Sequence, residues 1–319
     1  MLMVVVEMKE YLNELTKEQL LDIAYFNKSM TEYMLLTTKS KKDVYNYVVT
    51  NIDSIFDEIT KFVLADVNMD IYDYFEEKGK YVFSEEEYND DFYYTRVFLN
   101  ALHFIKVKRK HGDYEVSIVK DIFDKLVVER EDEGYLEYYD KIMNKVNVYG
   151  VIDIKDLEKL LSCEDASYII HGFRRLYQTF YIYTLNGKTL VSHLIFNTLD
   201  KAFDFYELID ETDLTIPDFN LYSLASYKKL IRFIKKEFFV SYYDDDSDYY
   251  EYALGKFRLL FIMPYLEMMQ INEDDAASNL AEDLNMYTDV TEQQFNQLIS
   301  LFDQVYKDIP KWKLGGKIK

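Results

Sequence analysis

The residues with the most chemistry to offer are Lys106, Lys108, Arg109, Lys110 and His111, a cationic run at the end of an apolar segment. Cations in such a row neutralise phosphates, and strand alternation would put Lys106, Lys108 and Lys110 together on the solvent side. The run Asp244-Asp245-Asp246-Ser247-Asp248 invites a calcium reading, because Asp244, Asp246 and Asp248 match the first three ligand positions of a calcium-binding loop. Tyr249 stands where that loop needs glycine, and Gly255 stands where it needs a bidentate Glu. The run therefore reads as a solvated loop between helices. Cys163 has His171 eight residues on, which does not make a nucleophile–base pair, and it reads as a small buried hydrophobe. The other histidines, His103, His111 and His193, show no close ligand spacing; a surface or satisfied core role is expected of all four. The 9 glycines form neither a dinucleotide fingerprint nor a phosphate loop, and no G-x-S-x-G elbow or His-Glu-x-x-His pair exists. With 58 acidic residues, any carboxylate pair is uninformative. The expectation is a non-enzyme with no catalytic, cofactor-binding or metal-ligating residue.

The elements that carry these residues follow from composition. Only 3 Pro and 9 Gly occur in 319 residues, so long helices joined by polar loops are favoured. Hydrophobic residues make up 49%, with 31 Tyr and 22 Phe, enough for sizeable cores. The net charge of −21 repels nucleic acid and anionic membranes as a whole, so any phosphate contact must come from a local basic patch. Acidity on this scale serves solubility or meets a basic partner. One cysteine excludes a disulfide framework and a cysteine-rich zinc site. The apolar start ends at Glu7 without the basic region and long core of a signal peptide, and Met3 and Met8 are alternative starts. No window approaches the roughly 20 apolar residues that span a bilayer, and the expected location is cytoplasmic.

Along the chain, Thr16 with Gln19 forms a capping box ahead of Leu20, Ile23 and Ala24. Ser40 caps a helix in which Val44, Tyr47, Val48, Ile52, Ile55, Phe56 and Ile59 recur at helical spacing. A helix over 66–78 ends at Gly79, Tyr81-Val82-Phe83 is extended, and Ser84 with Glu87 opens a helix to about Leu102. Phe104–Lys108 and Tyr114–Ile118 then flank His111-Gly112-Asp113, the chemistry of a hairpin turn. Three helices followed by a hairpin is the order of a winged helix.

That order repeats. At an offset of 75 residues, Phe98 falls on Phe173, Ile105 on Phe180, Val107 on Ile182, Gly112 on Gly187, Val116 on Val191 and Ser117 on Ser192. Asn186-Gly187 is the second turn, and Tyr149-Gly150-Val151-Ile152-Asp153 aligns with the first copy only across a gap. After Pro217 the pattern is helical. Tyr227, Leu230, Ile231, Ile234 and Phe238 form one stripe, and a helix over 249–270 carries Pro264. A shorter helix lies near 275–285, and Thr291 with Gln294 caps the last, with Phe295, Leu298, Phe302 and Val305. The only Trp, Trp312, anchors the tail.

Two segments carry a resemblance. "LTKEQLLDIA…TKSKKDVYNYV" is similar to the two-helix module at the amino end of transcription termination factor Rho and to SAP-type modules. "NVYGVIDIKDLEKLL", "TLNGKTLVSH" and "IPKWKLGG" resemble a group of uncharacterised proteins from low-GC Gram-positive bacteria that pair such a module with SEC-C-type zinc tails. The zinc tail is absent here. The resemblance implies a fold and a bacterial origin, and no activity comes with it.

The expected fold is mainly α with small β-hairpins: an N-terminal helical module (8–63), tandem winged-helix-like modules (64–134 and 135–216) and a helical C-terminal domain (217–319). The expected function is an adaptor or regulator that binds a protein partner. The alternatives are a nucleic-acid-binding regulator using the hairpin at 106–111, and an acidic nucleic-acid mimic from a mobile element. The helix ahead of the hairpin argues against base reading, since Glu85, Glu86, Glu87, Asp90 and Asp91 crowd it and only Asn89, Arg96 and Asn100 suit base edges.

Overall fold

A computed structural model describes residues 8–27, 30–76, 79–89, 91–127, 134–209, 214, 216, 219–238, 254–287 and 290–317. The chain is mainly helical, with two small three-stranded antiparallel sheets. It divides into two compact units. Unit 1 holds Met1–Met143 and Leu161–Phe180, and unit 2 holds Asn144–Leu160 and Tyr181–Lys319. Among the described residues no helix is long and apolar enough to cross a membrane.

Unit 1 opens with five helices: α1 (Met8–Glu14), α2 (Lys17–Ala24), α3 (Met30–Thr37), α4 (Lys41–Thr50) and α5 (Ile52–Thr60). Thr16 and Gln19 cap α2 reciprocally, as their spacing predicts, and Ser40 with Asp43 does the same for α4. The helix expected from Ser40 through Ile59 is two helices. Asn51 leaves helical geometry (φ −108°, ψ 13°) and its amide bonds the Tyr47 carbonyl, a local alternative to the helical ladder. Five of the seven predicted residues, Val44, Val48, Ile55, Phe56 and Ile59, are buried, and Tyr47 and Ile52 are half-buried.

Next come α6 (Ala65–Phe75), β1 (Lys80–Phe83), α7 (Glu85–Asn89), α8 (Tyr93–Ala101), β2 (Ile105–Lys110), β3 (Asp113–Ile118) and α9 (Lys120–Leu126). Ser84 and Glu87 make the predicted reciprocal bonds. The single helix expected up to Leu102 is interrupted between α7 and α8, where Phe92 turns inward and stacks on Phe83 at 4.3 Å. The sheet order is β1-β3-β2, and the turn lies at His111 and Gly112, both at positive φ (54° and 101°).

The second set is α10 (Leu136–Tyr149), β4 (Val151–Asp153), α11 (Ile154–Leu161), α12 (Ala166–Tyr177), β5 (Tyr181–Leu185) and β6 (Lys188–Ser192). Its sheet order, β4-β6-β5, matches the first, and its turn at Asn186 and Gly187 also has positive φ (51° and 79°). The register repeats too: Lys106 pairs with Ser117 and Val107 with Val116, as Tyr181 pairs with Ser192 and Ile182 with Val191. In the first strand the offset falls from 75 to 71, because Lys80 and Val151 both pair with the equivalent serine. The gap therefore lies between the first strand and the third helix of the set.

The unit boundary passes through the segment 135–216 instead of around it. β4, β5 and β6 belong to unit 2, whereas α12 belongs to unit 1. Packing inside unit 1 explains why. α12 buries Ala166, Ile169, Ile170, Gly172, Phe173, Leu176 and Tyr177. Gly172 leaves room for the Phe62 ring, which a Cβ would approach within 2.5 Å. The Tyr177 hydroxyl donates to the Phe62 carbonyl (2.8 Å) and accepts from the Leu64 amide (3.1 Å), so this buried hydroxyl is satisfied both ways.

Unit 2 continues with α13 (Leu199–Glu207), α14 (Ala225–Phe238), α15 (Met263–Ile271), α16 (Glu273–Tyr287) and α17 (Glu292–Asp308). A π-helical turn over Arg258–Ile262 leads into α15 just before Pro264, whose missing N–H such a turn accommodates. Leu230, Ile234, Leu254, Phe261, Leu298 and Phe302 form the helical core. A separate cluster joins Val151, Leu190, Phe196, Ala202 and Phe205 to Trp312. Gly150, at φ +70°, lies beneath the indole, where a Cβ would come within 2.5 Å of the ring.

Candidate functional site

The cationic hairpin is where the sequence places it, but its charges are engaged by acids of its own unit. Lys106 pairs with Glu14 at 2.8 Å and lies over the Tyr11 ring. Arg109 pairs with Glu85 at 3.1 Å, and Lys110 reaches both Glu115 oxygens at 3.2 Å, holding that carboxyl below its ordinary range. Lys108 stands opposite Glu115 in the strand register, and His111 occupies the turn. Lys106 through Lys110 are all exposed, Val107 included, and among the described residues β2 is a sheet edge. Three lysines on an edge strand have a structural role of their own, since they discourage pairing with another chain.

A stronger cationic feature was not visible as a run. Within unit 1, a cleft of about 810 Å³ is lined from α8 by Arg96 and Asn100 and from α12 by His171, Arg174 and Arg175. Three arginines face one carboxylate, Asp22, in a chain of net charge −21. Asp22 bridges His103 Nε2 (2.9 Å) and Arg175 (2.5 Å), and the Arg175 guanidinium stacks on Tyr25 at 4.3 Å. Arg96 lies over Tyr88 and Tyr93 at 4.8 and 5.3 Å, with its Nε buried and unbonded. His103 follows α8 at φ 58°. Arg96 and Asn100, singled out for base reading, look into this cleft.

Unit 2 holds a second cavity, of about 430 Å³, walled by Phe219, Leu221, Tyr222, Met263, Leu266 and Trp312. Two ionisable side chains enter it. His193 follows β6, and its Nε2 lies 3.5 Å from Glu267 Oε1 on α15. The His193 Nδ1 accepts from the Ile195 amide at 3.4 Å, which leaves the proton of the neutral ring on Nε2, facing Glu267. Burial raises the Glu267 pKa to about 7 and lowers that of His193 to about 4, so at neutrality the imidazole is uncharged and the carboxyl half-protonated. Three of the four side-chain amides in the lining, those of Asn144, Asn220 and Gln270, are committed to the backbone. Asn144 brackets Phe219, accepting its amide and donating to its carbonyl, and Gln270 donates to the Pro310 carbonyl while accepting the Trp312 amide. Trp312 Nε1 donates to the Asn147 carbonyl at 2.7 Å.

Cys163 is half-buried and within hydrogen-bonding reach of Tyr138, rather than an enclosed hydrophobe; burial raises its pKa. Among the described residues no group of three His, Cys, Asp or Glu side chains is placed to hold a metal. The run Asp244–Asp248 lies outside the described residues, as do Asp90 and Pro217. Comparison with protein-family models, with curated proteins and with solved structures finds no match for this chain.

Proposed function

We propose that the chain is a non-enzymatic interaction protein of the cytoplasm, made of an opening helical module, two winged-helix-like modules and a helical C-terminal domain. It binds a protein partner by holding an acidic segment of that partner in the arginine cleft of unit 1. The carrying observation is that α8 and α12, the third helix of each repeated set, line the same cleft with Arg96, Arg174 and Arg175. A winged helix that reads DNA turns the outward face of this helix into a major groove about 12 Å wide. Here that face looks onto a cleft of about 810 Å³, in the size range that encloses a small ligand or a few side chains. Guanidinium forks suit carboxylates, which they bind bidentately. The strand orders β1-β3-β2 and β4-β6-β5 support the winged-helix assignment, and the capped α2 and α4 support kinship with Rho- and SAP-type modules. The hairpin offers little competition for phosphate, because Glu14, Glu85 and Glu115 already meet its cations.

Fluorescence anisotropy with a labelled glutamate-rich peptide and a labelled DNA duplex tests the reading. The peptide should bind, and R96A with R174A should weaken it by ~10-fold or more, the value of a lost charged hydrogen bond or two. Duplex binding tighter than peptide binding and abolished by alanine at Lys106, Lys108, Arg109 and Lys110 would transfer the function to nucleic acid.

A further inference from the structure

We infer that unit 2 carries a separate small-molecule site, beyond the partner cleft, in which a planar, uncharged heterocycle of nucleoside size fills the cavity lined by Phe219, Tyr222 and Trp312 and hydrogen-bonds Glu267 through a ring nitrogen. The cavity beside α15 has about 430 Å³, within the range of small-ligand pockets. Its lining includes the aromatic residues Phe219, Tyr222 and Trp312, apolar surface that a flat guest would bury; the indole itself is already packed on Gly150, His193 and Phe196. Of the four side-chain amides in the lining, Asn144, Asn220 and Gln270 are held on backbone groups, and Asn147 is exposed.

Glu267 is the group without a structural explanation. A structural carboxyl withdrawn from water is ordinarily matched to a cation or to several N–H donors, because leaving it unmatched is costly. Among the described residues its one ionic neighbour is His193, at 3.5 Å, beyond normal hydrogen-bond length, and that contact engages Oε1 alone. The side chain is 24% exposed, so a guest in the cavity can reach the second oxygen. A protonated carboxyl donates from that oxygen to a ring nitrogen without any charge being buried, whereas a neutral guest would desolvate a carboxylate further. An anionic guest is disfavoured by the same carboxyl. The titratable groups of the lining are His193, Tyr222 and Glu267, and Arg258 lies over the Tyr222 ring at 5.6 Å. His193, with its pKa near 4, stays neutral from mildly acid to alkaline pH, so Glu267 alone sets the pH response in that range.

Trp312 is the chain's only tryptophan and lines the cavity, so its emission reports occupancy without a label. The full chain is titrated with adenosine as the neutral planar probe and with benzoate as a planar anion. Adenosine should change Trp312 emission saturably at about pH 6 and bind ~10-fold or more weakly at about pH 8.5, following the carboxyl's proton. Benzoate should leave the emission unchanged at the same concentrations. Glu267→Gln keeps shape and a donor, so it should bind adenosine with little dependence on pH. The inference is overturned by the absence of a saturable change at either pH, by benzoate binding as well as adenosine, or by wild-type pH dependence in the Gln variant. None of these outcomes touches the partner cleft, which is read by peptide anisotropy.

Discussion

Glu267 and His193 are two groups that folding drives in opposite directions. Between about pH 4.5 and 7 the folded protein holds a proton on Glu267 that the unfolded chain releases, so this group's contribution is fully present below about 4.5 and lost as pH rises through about 7. His193 runs the other way: the unfolded imidazole takes up a proton below about 6.5 that the folded one refuses until about 4. The slopes oppose each other over most of the shared window, so wild-type stability changes little there on their account. Substitution separates them. Glu267→Gln should raise unfolding stability by roughly 2 kcal/mol at about pH 8 and by under ~1 kcal/mol at about pH 5, as measured in urea. An equal gain at both values would mean that the carboxyl's protonation is not the cause. Neither residue was legible as a site. His193 follows a strand and Glu267 sits on a helix far along the chain, and only folding brings them to 3.5 Å. The signal present in the sequence was Trp312, whose expected anchoring role is what the Asn147 bond and the cluster around Phe205 describe.

At the scale of elements, what could be read was what is local. Capping boxes at Thr16, Ser84 and Thr291 form because both partners lie within one turn. The two turns form because Gly112 and Gly187 tolerate positive φ. Breaks at Asn51 and before Phe92 were missed, since apolar spacing continues through them and only a side-chain bond or an inward ring decides the matter. The hairpin forms where its residues predict. Lys106, Lys108 and Lys110 read as a candidate nucleic-acid or partner contact, and they lie on β2, which among the described residues is an edge strand. Their pairs with Glu14 and Glu115 are solvent-exposed and add little to stability. Replacing all three by Thr should therefore leave the urea midpoint close to wild type while raising concentration-dependent self-association, followed by size-exclusion chromatography with light scattering. A large loss of stability, or elution identical to wild type at every concentration, would remove the edge-guard role.

For the molecule as a whole, net charge hides a local cluster of opposite sign. A chain at −21 looks uniformly acidic, but Arg96, Arg174 and Arg175 come from separate segments to one cleft. No sequence window contains them together. The same non-local packing explains why the tandem repeat, legible from the offset of 75, does not coincide with the compact units. α12 repeats α8 in position, yet its burial partners are in unit 1, where Gly172 admits Phe62 and Phe98 stacks on Tyr177 at 5.7 Å. A chain cut after Met143 would lose seven buried residues of α12. At roughly 1.5–3 kcal/mol for each large apolar side chain, the loss rivals the ~5–15 kcal/mol that holds a whole domain folded. The fragment 8–143 should therefore show no cooperative thermal transition by circular dichroism, and a peptide spanning residues 161–180 should restore one when added in excess. Cooperative melting of the fragment alone, at wild-type temperature, would show that α12 is an accessory to unit 1 and that the division expected at residue 134 is the physical one.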